Sequence, residues 1–308
     1  MEILVCGAGT IGLTYAWLLS RHARVDVLVR EARLPRLSQG VPIACKDLRA
    51  GSHTYETTRF TPRCVTVPAG RYDAVLVAVN SVQLPALLPA LAALREQTGC
   101  FVWMQNQWNL REKLRGFIPE EQCLVAFPSS VGGGRDEGGL RVILFDAPTR
   151  LGGPCRQGAE ALAAVLRDAG LRTRWDPHIF DWLQVHYLQQ SITAGAILEN
   201  GGFDRLAADR RAVGKLVLAF REGIEVCRRM GVPTWRTFPA PLFRLPAELV
   251  AGGMQRMFQA ENTVEMVENH KKQGLPEWIA GYYEVLRAGQ ALGLPMPVWA
   301  SYQSALQP

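Results

Sequence analysis

The residues best suited to chemistry in this sequence are three glycines near its start, at positions 7, 9 and 12. They follow the short apolar segment 2–6 and open a run with the spacing of a buried helix. In this arrangement the first glycine permits a tight turn, the second lets the backbone approach a pyrophosphate, and the third lets helix and strand pack closely. Free N–H groups at the helix N-terminus then face the anion. The spacing predicts a dinucleotide-binding turn made of Gly7, Ala8, Gly9, Thr10, Ile11 and Gly12.

Three further polar residues follow predicted strands and are candidates for binding the same cofactor. Arg30 comes directly after the apolar segment 25–29. In dinucleotide-binding domains an acidic residue at this place holds the ribose 2′-hydroxyl, whereas an arginine receives the 2′-phosphate of NADP. Arg30 therefore favours NADPH; the alternative is an exposed Arg30 with Glu31 on the ribose. Asn80 and Asn106 follow two later strands, so we expect both near the nicotinamide.

A histidine in the second half of the chain is a candidate general acid. His186 and Gln190 are four residues apart in a predicted helix and share one of its faces. A histidine can protonate an alkoxide, whereas a glutamine can only hydrogen-bond to it. The alternative interpretation is that His186 packs beside Trp182 and Tyr187 and has no chemical role.

The elements that must position these residues change in type along the chain. Apolar segments at 2–6, 25–29, 73–79, 100–104 and 123–127 alternate with helical ones, which is typical of a parallel sheet covered on both faces. Residues 130–134 are predicted as a loop before an antiparallel strand at 140–145. We expect an α/β fold: a parallel-sheet domain of the Rossmann type over 1–176 and an all-helical domain over 177–308. Its predicted helices are 179–197, 210–230, 246–273 and 277–292, with Gly231, Gly274 and Gly293 as stops.

Composition excludes several classes of protein. The 308 residues are 48% hydrophobic and carry a net charge of +6, with the basic residues scattered rather than gathered in a nucleic-acid-binding arm. The seven cysteines show no metal-ligand spacing and predict reduced thiols. Apolar runs fall short of the roughly 20 residues of a membrane span. Because the first strand begins at residue 2, we expect no targeting segment and a cytoplasmic location.

Together these features resemble the ketopantoate reductase family over nearly the whole chain. The resemblance rests on the glycine turn, Arg30, Asn106, the pair Arg135-Asp136 after the glycine-rich loop, and the all-helical second half. It also includes Pro276-Glu277 at the start of a predicted helix that ends in the sequence Gly-Leu-Pro-Met-Pro. The resemblance implies NADPH-dependent reduction of a 2-keto acid, as in 2-dehydropantoate 2-reductase. It further implies that Glu277 holds a substrate hydroxyl, and the glycine run suggests that the backbone at Gly133 passes close to the cofactor.

The sequence departs from the family at the substrate site. The family has a catalytic Lys on the first helix of its second domain, followed by two Asn residues. Aligning on Trp182 places Gln184 at the Lys position, whereas a shift by two residues places His186 there and Gln190 at the first Asn. Both cannot serve, because residues two apart point to different sides of a helix. In addition, Asn80 stands where the family usually has a Lys that contacts the cofactor, and Glu265 stands where it has a Ser near the substrate carboxylate.

These departures define the function that the sequence predicts. We expect an NADPH-dependent oxidoreductase that reduces a small 2-keto acid or a related carbonyl compound, with His186 as acid. His186 and Glu277 are the candidate catalytic residues, and the candidate substrate-binding residues are Gln184, Gln190 and Glu265. A homodimer through the C-terminal helices is the expected assembly. Two alternatives remain: a catalytically weak NADPH-binding sensor or assembly protein, and an imine reductase in which Glu265 pairs with a substrate amine.

Overall fold

The chain forms two compact units. The computed structural model describes residues 1–306, with the backbone only for residues 272 and 273. The first unit comprises residues 1–105 and 111–179, and the second comprises residues 106–110 and 180 onward. Residues 106–110, which interrupt the first unit in sequence, therefore belong to the second unit. The predicted boundary at 176/177 did not include this segment.

The first unit is built on an eight-stranded sheet with the order β12-β11-β8-β7-β6-β1-β2-β5. Its strands are β1 (Glu2–Cys6), β2 (Arg24–Leu28), β5 (Arg63–Val65), β6 (Tyr72–Val77), β7 (Thr98–Trp103), β8 (Cys123–Phe127), β11 (Thr149–Gly152) and β12 (Thr173–Trp175). Only the β8–β11 pair is antiparallel. The strand order reverses between β1 and β6, where ligands bind in open parallel sheets.

The helices of this unit are α1 (Thr10–Leu19), α2 (Leu34–Ser38), α3 (Leu84–Ala93), α4 (Leu110–Leu114, whose first residue belongs to the second unit) and α5 (Arg156–Asp168). The central strands are almost entirely buried, as their continuous apolar sequences predict. The predicted fold class, a parallel-sheet domain followed by a helical one, is confirmed.

The first unit also contains a second, four-stranded sheet, of which the strand at 140–145 is predicted from the sequence. It has the order β4-β3-β10-β9, formed by β3 (Val41–Asp47), β4 (Glu56–Phe60), β9 (Val131–Asp136) and β10 (Gly139–Leu144). The prediction of a loop at 130–134 is wrong, because most of that segment is β9. Glycines have low strand propensity, so the sequence of this segment does not indicate a strand. The segment is a strand because it forms a hydrogen-bonded ladder with β10.

The second unit is helical throughout. Its helices are α6 (Ile179–Asn200), α7 (Phe203–Ala208), α8 (Arg210–Arg229), α9 (Ala247–Phe258), α10 (Glu261–Ala291) and α11 (Pro297–Ala300). They enclose a core that includes the fully buried Trp299, Tyr282 and Phe220. None of the helices in residues 1–306 combines the length and apolar character needed to cross a bilayer.

The predicted helix break near residue 275 is wrong, and the break lies earlier. The chain breaks at residues 259 and 260, and α10 then continues through Pro276. Gly274 lies within the helix and does not stop it, and the absence of a side chain there leaves room for a neighbouring ring. A Cβ at this position would lie 2.5 Å from the ring of His270, which packs on Trp278 in a tilted arrangement with ring centroids 5.3 Å apart. Glu277 consequently lies inside a long helix and not at a helix start.

Candidate functional site

The glycine turn has the geometry of a phosphate cradle. Gly7 has φ +120°, and Gly12 packs so tightly that a Cβ there would lie 1.9 Å from the Gly7 carbonyl oxygen. Gly9, in contrast, is exposed, and a Cβ there would meet no atom within 4 Å. Helix α1 starts after Gly9 without a side-chain cap. The N–H groups of the first helical turn therefore face open space, which fits the binding of a dinucleotide pyrophosphate.

The carboxyl ends of β6 and β7 lie beside this turn and are tied together. The N–H of Ala78 donates to the carbonyl of Cys6 at 2.8 Å. Gln105, which follows β7, donates from Nε2 to the carbonyl of Val79 at 2.7 Å. The side-chain oxygen Oε1 of Gln105 is buried without a hydrogen-bond partner. Sequence reasoning missed this residue, although its place after a buried strand was a usable signal.

Arg30 and Asn80 are exposed at the same edge of the sheet. Each precedes a short 3₁₀ turn in extended conformation, Arg30 after β2 and Asn80 after β6. Neither side chain caps the turn that follows it. Both remain available to a ligand at the carboxyl edge.

Gly133 has a structural explanation in the small sheet. It pairs with Val142 across β9 and β10, with φ +132°. A Cβ there would lie 2.1 Å from the Arg141 carbonyl oxygen. This close approach of two strands accounts for a glycine at this position without reference to a cofactor.

In the second unit, the segment 106–110 packs against helix α6 through polar and aromatic contacts. Asn106 donates from Nδ2 to the side-chain oxygen of Gln190 at 3.1 Å. Trp108 packs on Tyr187 with ring centroids 5.7 Å apart. The Asn106–Gln190 bond leaves one acceptor, Asn106 Oδ1, and one donor, Gln190 Nε2, buried without hydrogen-bond partners. A buried donor and acceptor side by side are suited to a ligand that carries both a carbonyl and a hydrogen-bond donor.

Gln184 is fully engaged with Asn109, a residue that sequence analysis did not single out. Its side-chain oxygen accepts from the Asn109 N–H at 3.2 Å, and its Nε2 donates to Asn109 Oδ1 at 2.8 Å. Asn109 has φ +51°, a left-handed conformation that asparagine tolerates better than most residues. Gln184 is 7% exposed, so its amide stabilises this turn from within the unit.

His186 lies one helical turn before Gln190 on α6. Its ring packs on that of Trp182 with centroids 4.5 Å apart, and the side chain is half-buried. Trp182, His186 and Gln190 thus form one stripe along the helix, as the four-residue spacing predicts. The structure brings Asn106 to the end of this stripe.

Two carboxylates on α10 act on the buried phenol of Tyr187, one by a hydrogen bond and one by its charge. The Tyr187 O–H donates to Glu284 Oε2 at 2.5 Å. Burial raises the pKa of Tyr187, and the negative charges of Glu284 and Glu277 raise it further. The phenol therefore stays protonated and links α6 to α10. Glu277 is half-buried near this link, and Glu265 is half-buried in the first half of the same helix.

Within residues 1–306, no group of three or more His, Cys, Asp or Glu side chains could hold a metal ion.

Comparison with known proteins places this geometry in a family. The family described as ketopantoate reductase PanE/ApbA matches residues 3–152, which contain the glycine turn and the sheet. Over this region, the sequence matches the ketopantoate reductase family. No functionally curated protein sequence matches the chain.

Solved structures share the fold of this chain over nearly its whole length. A D-mandelate dehydrogenase in ternary complex with NADH and anilino(oxo)acetate has a TM-score of 0.77 at 15% identity, covering 99% of this chain and 97% of its own. A 2-dehydropantoate 2-reductase from Geobacter metallireducens GS-15 has a TM-score of 0.72 at 20% identity, covering 99% of each chain. A dimeric ketopantoate reductase from Staphylococcus aureus has a TM-score of 0.70 at 13% identity, covering 99% of this chain and 97% of its own. At these identities the likeness concerns the fold. The family itself indicates an oxidoreductase with a nicotinamide cofactor.

Proposed function

We propose that this protein is an NADPH-dependent reductase of a small 2-keto acid or a related carbonyl compound. The observation that carries the proposal is the glycine cradle, in which Gly7 and Gly12 are fixed by packing while Gly9 is open. Its fit to a dinucleotide pyrophosphate, together with the family match over residues 3–152, supports a nicotinamide cofactor. When bound, that cofactor supplies the hydride.

The first unit would hold the cofactor. The backbone N–H groups of Thr10, Ile11 and Gly12 are placed to receive the pyrophosphate, since no side chain caps them. Arg30 would approach the adenosine ribose from the end of β2, and Asn80 would face the cofactor from the end of β6. An arginine in place of an acidic residue after β2 supports NADPH over NADH.

The second unit would supply the groups that orient the reacting carbonyl compound. Gln190 Nε2 is a buried donor suited to a carbonyl or carboxylate oxygen, and Asn106 Oδ1 is a buried acceptor suited to an amide or hydroxyl group. His186, one turn away on the same stripe, is the group that can deliver a proton to the alkoxide formed on reduction. Glu277 would accept a hydrogen bond from a substrate hydroxyl.

Gln184 is better explained as a structural residue. Its amide donates to and accepts from Asn109, which supports the alignment that gives the catalytic place to His186. The missing Lys, the glutamate at position 265 and the asparagine at position 80 support a substrate other than ketopantoate.

The test is a screen of purified protein for NADPH oxidation with 2-keto acids, ketones and imines. We expect turnover with a 2-keto acid or related carbonyl compound, and a loss of kcat by about 100-fold or more in His186→Ala. The same substitution at His178, an exposed histidine that directly precedes α6, is the control and should leave kcat unchanged. Binding of NADPH without turnover of any compound would instead support a sensor, and turnover of imines alone would support an imine reductase.

We also propose a homodimer formed through the C-terminal helices. Large apolar side chains are exposed in the region 235–257, including Trp235 at 64% and Leu249 at 66%. Exposed apolar surface of this kind is typical of protein–protein contacts. Sedimentation equilibrium tests the assembly, and a monomer at all concentrations would contradict it.

A further inference from the structure

Two arginines from separate elements meet at the glycine turn. Arg33 ends the 3₁₀ turn Glu31–Arg33 that follows β2, and Arg135 projects from β9 of the small sheet. The Nη1 atoms of both side chains donate to the same oxygen, the carbonyl of Ala8, at 3.4 Å each. The turn thus gathers two guanidinium groups that are about one hundred residues apart in sequence.

The position of Arg135 disfavours the charge on its guanidinium group. Burial lowers the pKa of the Arg135 guanidinium, and the positive charges of Arg36 and Arg33 lower it further. Like charges that are held together in a partly buried place are stabilised by an anion placed among them. Arg135 is half-buried, whereas Arg33 and Arg36 are exposed and can adjust to a ligand.

A cavity opens beside the cluster. It has a volume of about 180 Å³ and is lined by Arg36, Arg59 and Arg135 together with one acidic residue, Glu137. Three cationic side chains against one anionic side chain leave a net positive lining. The cavity is large enough for a phosphate group and its hydration water.

The small sheet fixes Arg135 before any ligand binds. Arg135 pairs with Leu140 in the antiparallel ladder of β9 and β10. The connection between these strands is itself pinned, because the N–H of Gly138 donates to Asp136 Oδ1 at 2.8 Å. A guanidinium carried on a paired strand is preorganised, and its fork of N–H donors matches a phosphate.

We propose that Arg135, together with Arg33, forms the binding site for the 2′-phosphate of NADPH. The ribose of the adenosine lies at the end of β2 in dinucleotide-binding domains, which is where Arg33 stands, and the Ala8 carbonyl anchors both side chains there. Arg135 thereby contributes cofactor specificity from a strand far along the chain, in addition to Arg30. This inference rests on the proposed use of a nicotinamide cofactor.

The test is calorimetric binding of 2′,5′-ADP and of 5′-ADP, which differ only in the 2′-phosphate. We expect the unmodified protein to bind 2′,5′-ADP more tightly than 5′-ADP. Because hydrogen bonds to charged groups contribute more than neutral ones, Arg135→Gln and Arg33→Gln should each weaken 2′,5′-ADP by about tenfold or more and 5′-ADP by less than about twofold. Arg24→Gln, at the opposite end of β2, is the matched control and should change neither affinity.

The outcomes separate this inference from the proposed function. Equal binding of the two nucleotides by the unmodified protein would overturn both the NADPH preference and the phosphate site, while leaving a reductase that uses NADH. A clear preference for 2′,5′-ADP that survives in Arg135→Gln and Arg33→Gln would overturn the inference alone. Equal weakening of both nucleotides by Arg135→Gln would also overturn it, because the residue would then act on the turn and not on the 2′-phosphate. If Arg135→Gln fails to fold, Arg33→Gln still tests the inference, because the exposed side chain of Arg33 can be replaced without disturbing the core.

Discussion

Replacing Gln184 by leucine should destabilise the protein without removing a catalytic group. Leucine is close in volume to glutamine, so the substitution mainly deletes the two amide hydrogen bonds to Asn109. Two neutral hydrogen bonds are worth about 1 kcal/mol each, and a buried N–H left unpaired costs roughly 1–3 kcal/mol. Water can reach part of the half-buried Asn109, so we expect a loss of about 2–4 kcal/mol in the free energy of unfolding.

Urea unfolding followed by tryptophan fluorescence measures this loss, because Trp108 and Trp182 lie in the same unit as Gln184. Gln189→Leu is the matched control: the same substitution on the same helix, at a half-buried side chain, should shift stability by less than about 0.5 kcal/mol. In conditions where it is folded, Gln184→Leu should retain most of the reductase activity.

One result would refute the reasoning. If Gln184→Leu unfolds at the same urea concentration as the unmodified protein while its kcat falls by about 100-fold or more, the amide acts on the substrate and not on Asn109. Gln184 would then take the catalytic position that we assign to His186.

Three further predictions concern the glycine turn, a thiol and the assembly. Gly12→Ala should lower the free energy of unfolding by roughly 1–3 kcal/mol and abolish cofactor binding, because the new Cβ would lie 1.9 Å from a carbonyl oxygen. Gly9→Ala should weaken NADPH binding at an unchanged melting temperature, because a Cβ at this position meets no atom within 4 Å. A hydrogen bond from Cys100 lowers the pKa of the Cys155 thiol, so alkylation of Cys155, followed by peptide mass spectrometry, should rise with pH with a midpoint below that of an ordinary thiol. A midpoint at or above about pH 8.5, the ordinary value for a thiol, would contradict this. Leu249→Glu should weaken the proposed dimer in sedimentation equilibrium, and an unchanged dimer would exclude α9 from the interface.

The position of His186 shows how far sequence could resolve the substrate site. Two alignments of the first helix were open, one favouring Gln184 and the other His186. The tie between Gln184 and Asn109 depends on a segment more than seventy residues earlier in the chain, and on its left-handed turn at Asn109. Contacts of that range leave no periodic signal, so the sequence had no means to choose between the alignments.

Local patterns were sufficient for the nucleotide-binding half. The apolar strand, the three glycine positions and the arginine after β2 act within one short stretch of chain, where backbone geometry and sequence are directly linked. The same is true of the buried parallel strands and of the change to helices after residue 176. These features predicted the fold class, which the structure confirms, and a nicotinamide cofactor, which the family match supports.

Tertiary structure decided where distant groups meet. The glycine-rich segment became strand β9 only because β10 pairs with it, and that pairing carried Arg135 to the carbonyl of Ala8. The return of residues 106–110 to the helical unit joined Asn106 to Gln190. Each outcome depends on hydrogen bonds or packing between residues far apart in the chain, which only the folded molecule brings together.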